Sequence, residues 1–136
     1  MEMRDNSTAV NVAELLPLFH LHAELCKALA HEYRLAILYA LGDGEVCVTD
    51  IANAVGIPMH TVSQHLRILK ERDLVRSRKD GQTVYYSITN PLFIEGCTQI
   101  RRALIEQHQA TGSSLDAARL LDLIERSGTR RPAANG

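Results

Sequence analysis

The chain reads as mainly α-helical with one small β-hairpin, on three observations. Apolar residues recur at spacings of three and four along most of its length, the period of a helix buried on one face. Aromatics make up only 4% of the residues and Trp is absent, so the core falls to Leu, Ile, Val and Ala, which suits packed helices. One stretch, from Leu74 to Ile88, leaves the helical rhythm and alternates in the period of a strand.

Taken in order, residues 1–11 read as a flexible arm. From Val12 to Ala30 a helix is expected, with Leu18, Leu21, Leu25 and Leu29 on one stripe and Phe19, His22 and Cys26 beside it. Pro17 belongs in its first turns or kinks it. "HEYRLAILYALGDG" predicts a second helix, apolar at Leu35, Ile37, Leu38 and Leu41 and stopped by Gly42 and Gly44. "TDIANAVGI" predicts a short third helix, with Thr49 or Asp50 near its N-cap and Gly56 past its end. Pro58 then opens a fourth, "MHTVSQHLRILKER", where a fixed φ and a missing N–H cost least. Its inward side is Val62, Leu66 and Leu69. Thr61, Ser63, Gln64, His65 and Arg67 lie on or beside the outward one.

The alternating stretch that follows turns at Asp80-Gly81, a strong hairpin signal because tight turns need residues that tolerate positive φ. Residues 91 to about 109 predict a fifth helix, with Phe93, Ile94, Cys97, Ile100, Leu104 and Ile105 recurring. "SSLDAARLLDLIERS" predicts a last helix started near Ser114 and Asp116, and residues 128–136 a disordered tail.

At 136 residues this is one domain, and 46% apolar content makes it a globular one. No apolar run approaches the roughly 20 residues that span a bilayer, and the polar start lacks a signal-peptide core. A cytoplasmic location without membrane contact is expected. Three Cys with no paired spacing do not form a secreted disulfide framework.

Net charge is only −1, yet Arg67, Lys70, Arg72, Arg76, Arg78 and Lys79 crowd between His60 and Asp80. Such a patch is either a solvated face or a phosphate footprint. Its setting favours the second. Two short helices joined by the tight "VGIP" turn, the second polar on its outer side, form a helix-turn-helix, and the hairpin makes it winged. Gln64 suits adenine, Arg67 guanine or phosphate, and Thr61 and Ser63 phosphates near the helix start; His65 lies beside them. Arg76, Arg78 and Lys79 put positive charge on the wing. No phosphate loop, paired carboxylates or nucleophile elbow is present, so an enzyme is not expected. A protein-interaction module remains the alternative, although it leaves the polar face of "HTVSQHLR" and the basic wing unexplained.

The segments "LCKALAHEYRLAILYAL", "EVCVTDIANAVGI", "TVSQHLRILKERDLV" and "RKDGQTVYYSI", in this order, resemble the ArsR/SmtB family of winged-helix repressors from about Leu15 to about His108. The resemblance implies a domain over 12–110, followed by the C-terminal helix at 111–127. It implies a homodimer, paired through its N-terminal and C-terminal helices, on an inverted-repeat operator that it leaves when a small inducer acts. Half-sites for such dimers lie about one helical turn, ~34 Å, apart. "PMHTVSQHL" departs from the family in Met59 and His60, which bears on operator preference.

Family members sense metals, arsenicals or sulfur and redox species. Where zinc sensors place Asp and His on the fifth helix, this chain has Asn90, Leu92 and Arg101 or Arg102, so that site is lost. The soft-ion motif "ELCVCD" reads "EVCVTD", keeping Cys47 and replacing the second Cys by Thr49. No resident metal or cofactor is therefore expected. Cys47 precedes a helix start, whose dipole favours an anionic sulfur, and Cys97 lies on the fifth helix. The two are read as a sensing pair for sulfane sulfur or an oxidant, with arsenite or another soft metal as the alternative. The plain reading is that both are small packing residues; Cys26 is assigned to packing or an interface.

Overall fold

A computed structural model describes residues 11–111 and 116–127; the expected arm, apart from Asn11, and the expected tail lie outside them, as does Ser114. The described residues open on a 3-10 turn, Val12–Leu15, which Asn11 caps by accepting the Ala13 N–H at 3.0 Å. Helix α1 (Leu16–Leu29) follows. One helix was expected from Val12. The break falls where Pro17 has no N–H to give, so α-helical bonding starts around it.

Helix α2 (Glu32–Leu41) is capped by His31, whose Nδ1 accepts the Tyr33 N–H at 3.1 Å, and ends at Gly42 with φ 54°. Strand β1 (Val46–Cys47) passes directly into helix α3 (Val48–Val55), so Cys47 itself is the N-cap residue. Thr49 and Asp50 therefore occupy the first turn and not the cap, because the strand delivers the chain already turned into the helix. Gly56 ends α3 in the left-handed region, φ 80°, as its position predicts. Helix α4 (Met59–Glu71) starts from Pro58, whose carbonyl accepts the Thr61 and Val62 N–H groups, both at 3.1 Å.

The wing consists of β2 (Val75–Asp80) and β3 (Thr83–Ile88), antiparallel, with Val75 opposite Ile88 and Asp80 opposite Thr83. Its central turn pair is Gly81-Gln82, one residue later than the expected Asp80-Gly81. Only Gly81 has positive φ (63°), which is the demand of a II′ turn, whereas the sequence pointed to a pair. Strand β1 joins the other edge of β3, giving the order β1-β3-β2, with Val46 opposite Tyr86 and Cys47 opposite Tyr85. Alternation then puts Val46, Tyr86 and Ser77 on one face of the sheet and Cys47, Tyr85 and Arg78 on the other.

Helix α5 (Pro91–Thr111) is capped by Asn90, which accepts the Leu92 N–H at 3.0 Å, and α6 (Ala117–Ser127) by Asp116, which accepts the Arg119 N–H at 3.1 Å. Helix α6 packs on α5. The core lies between α2, α3 and α4 and reaches the base of the wing through Ile37, Leu41, Ile51, Leu66, Leu69 and Leu74. Leu25 and Leu29 of α1 lean on it. Leu18, Leu21 and Leu35, apolar at the expected spacing, do not: Leu21 is 67% exposed and Leu35 37%. No helix of the described residues is long and apolar enough to cross a membrane.

Candidate nucleic-acid interface

Helix α4 is held by one side and leaves the other free. Val62, Leu66 and Leu69 are fully buried, while Ser63, Gln64 and Arg67 are exposed and Thr61 is half-buried. At 100° per residue these polar positions fill the side opposite the core and the two flanks next to it. Arg67 pairs with Glu71 one turn on, 3.4 Å away, both open to water. Lys70 donates to Ser77 Oγ at 2.7 Å and so ties the flank bearing Ser63 and Arg67 to the wing.

The wing cations differ from one another. Arg76 and Lys79 are exposed and make no ion pair among the described residues. Arg78, expected as a third outward cation, is already engaged. Its Nε donates to Glu45 at 2.9 Å, Asp80 lies 3.9 Å from its Nη1, and its guanidinium stands 5.1 Å from the Tyr85 ring centre. The hydrogen bond from Arg78 holds the Glu45 carboxyl below its ordinary value, and Glu45 in turn raises Arg78. Register explains the pairing, since Arg78 and Tyr85 face each other across β2 and β3 at the level where β1 arrives.

The other flank of α4 carries His65, half-buried and turned against the start of α2. Its ring lies 4.5 Å from the His31 ring and 6.2 Å from that of Tyr33, and Arg34 Nη1 approaches its Nδ1 at 3.4 Å. Arg34 also donates through Nε to the Ala28 carbonyl, fastening α1 and α4 to the same guanidinium. Burial first, then His31 and Arg34, push the His65 imidazole below its ordinary value. Sequence reading placed His65 beside the outward face but missed His31, Tyr33, Arg34 and Glu45. A His three residues ahead of an Arg at a helix start was the one local sign.

Comparison with known proteins fits this geometry. Residues 29–78 match a family model described as a helix-turn-helix domain. A cadmium resistance transcriptional regulatory protein CadC homolog of Staphylococcus aureus is 43% identical over 67 residues, 48% of this chain and 55% of that protein. The biofilm growth-associated repressor of Xylella fastidiosa is 32% identical over 111 residues, 75% of this chain and 97% of that protein. Among solved structures, the homodimeric winged helix-turn-helix DNA-binding domain of a possible ArsR-family regulator from Mycobacterium bovis is similar at 27% identity. Its TM-score is 0.61, over 85% of this chain and 98% of that one. This chain belongs to the ArsR/SmtB family of winged-helix regulators. It spans about half the length of several curated relatives that it matches.

Within an ArsR/SmtB fold the remaining candidate residues take definite places. Asn90 is a helix cap, Leu92 is exposed, and Arg101 lies with its guanidinium 5.4 Å from the Tyr39 ring centre. Among the described residues no group of three or more His, Cys, Asp or Glu is arranged to hold a metal. All three Cys are free thiols. Cys47 is half-buried where β1 becomes α3, and Cys97 is half-buried on α5. The strand of Cys47 packs on β3 and α3, whereas α5 packs chiefly on α6. Cys26 is exposed on α1, on the outward side with Phe19 and Ala23.

Proposed function

We propose that this chain is a DNA-binding transcriptional repressor that acts as a homodimer on an inverted-repeat operator. The observation that carries it is the division of α4 into a fully buried side (Val62, Leu66, Leu69) and an exposed polar one beside the wing. A helix packed this way offers Ser63, Gln64 and Arg67 to a major groove while Arg76 and Lys79 meet the adjoining backbone. The homodimeric Mycobacterium bovis domain, of similar fold, supports the pairing. Binding to short duplexes carrying inverted repeats, measured across a range of salt, tests the reading: affinity falls steeply as salt rises. Gln64→Ala costs ~1–3 kcal/mol of base discrimination and leaves binding to scrambled duplexes unchanged. Salt-independent or absent duplex binding overturns it.

The inducer acts, in this reading, on Cys47 and Cys97. Cys47 stands at the joint of β1 and α3, the first helix of the reading pair, and Cys97 on α5, one turn from the exposed Ile100. A peroxide takes two electrons and two protons from a thiol pair, leaving a disulfide and water. A polysulfide gives its sulfane sulfur to a thiolate as its own S–S bond breaks, leaving a persulfide and a polysulfide one sulfur shorter. Either alters the packing at these two positions. Arsenite, bound through the same thiols, is the alternative, and mass spectrometry after each treatment separates them. Cys47→Ser and Cys97→Ser should bind duplex normally and fail to release it on treatment; normal release by both variants removes the thiol reading.

A further inference from the structure

We propose that His31, Tyr33 and His65, with His65 set by Arg34, form a phosphate site for the DNA strand across the groove from the wing. The proposal rests on the duplex-reading role given above to α4. That helix has two flanks. Ser63, Arg67 and Lys70 lie toward the wing, fixed by the bond from Lys70 to Ser77. Thr61, His65 and the exposed Ile68 lie on the opposite flank, where the start of α2 meets His65. A major groove about 12 Å wide has a wall of phosphates on each side of an inserted helix. The wing serves one wall. The α2 cluster stands at the other.

Hydrogen bonding fixes what this cluster can offer. A backbone N–H and a guanidinium only donate, so Nδ1 of His31, facing the Tyr33 N–H, and Nδ1 of His65, facing Arg34, are both acceptors. In a neutral imidazole the proton then sits on Nε2. Neither ring keeps a free lone pair, which excludes a metal bridged between them although the rings are only 4.5 Å apart. What remains is two Nε2–H donors and the hydroxyl of Tyr33, a residue 40% exposed, with no acceptor for any of them among the described residues. Three neutral donors within one cluster suit the oxygens of a phosphate, the group that side-chain N–H and O–H donors most often meet on a duplex. Arg34 is assigned a positioning role here, since its Nε donates to Ala28 and its Nη1 to His65.

Neutral donors leave a signature that charged ones do not. A Lys or Arg on a phosphate releases counterions and steepens the salt dependence, whereas an imidazole N–H or a phenol does not. The test compares wild type with His31→Asn, which keeps a side-chain cap for α2, and Tyr33→Phe, which removes only a hydroxyl. Binding to an inverted-repeat duplex and to a scrambled one is followed against salt, with thermal melting to verify the fold. Each variant is expected to bind both duplexes about threefold to tenfold more weakly per half-site, the size of one ordinary hydrogen bond in each chain, with the salt slope of wild type. Nitrogen-15 spectra of the imidazoles should show both rings protonated at Nε2. Unchanged affinity in both folded variants, a slope reduced by about one per chain, or an Nδ1–H tautomer in either ring overturns the proposal. Failure of wild type itself to bind any duplex overturns it together with the role of α4. Wild-type affinity in both folded variants, with Gln64→Ala still discriminating less, overturns this site alone and leaves the role of α4 standing.

Discussion

Arg34 and His65 show how a single pair of side chains can organise the reading surface. The guanidinium donates to a carbonyl of α1 and points a second nitrogen at the imidazole of α4, so three helices meet through it. Partial burial of the ring, then the neighbouring His31 and this positive charge, all oppose a proton on His65, which lies below its ordinary value of 6.5. In the unfolded chain those neighbours are gone. As pH falls through about 6.5 the unfolded imidazole takes its proton first, so the stability this group contributes is complete above that pH and is lost below it. Melting at about pH 7.5 and about pH 5 should therefore show a larger drop for wild type than for His65→Gln. Equal drops would mean that His65 is not held neutral by its surroundings. The outward position of Gln64 was legible from the apolar period of its own helix. The Arg34–His65 contact was not, because its partners are 31 positions apart and no pattern along one helix encodes them.

At the scale of elements, helix limits were legible wherever a residue acts through its own backbone. Gly56 ends α3 and Pro58 starts α4 because a left-handed φ and a missing N–H are local properties. The start of α3 and the hairpin turn shifted by a residue or more because strand register decided them, and register belongs to the sheet. The same pairing brings Glu45, just ahead of β1, to Arg78 on β2 across β3. In the proposed complex Arg78 would meet a phosphate only by leaving a carboxylate that is itself held in its charged form. Glu45→Gln frees the cation without altering the shape of the loop. It should tighten binding to all duplexes at low salt and steepen the salt dependence by about one ion per chain. If affinity and slope are unchanged, Arg78 stays on the wing and takes no part in backbone contact.

For the whole molecule the decisive feature is apolar surface that the fold itself leaves uncovered. Leu16, Leu18, Phe19 and Leu21 on α1 and Ile100 and Leu104 on α5 are all exposed, Ile100 by 61% and Leu104 by 49%. Each such side chain gains about 1.5–3 kcal/mol when fully removed from water, and exposed apolar faces of this kind suit an interface with a second chain. The periodicity of α1 and α5 announced apolar faces. Which of them turns inward could not be read from spacing, since a core and a partner subunit impose the same pattern. Leu25 and Leu29 went to the core and Leu18 and Leu21 did not. Leu104→Glu separates the two uses, because it places a charge on exposed surface and takes nothing from the core. The variant should keep its helical content and melt with a normal cooperative transition. In sedimentation it should run as a monomer where wild type runs as a dimer, and its preference for two half-sites over one should disappear while the Gln64 contacts within each half-site persist. A wild-type chain that sediments as a monomer, or a variant that still dimerises, would show that these α1 and α5 faces are not where the subunits meet.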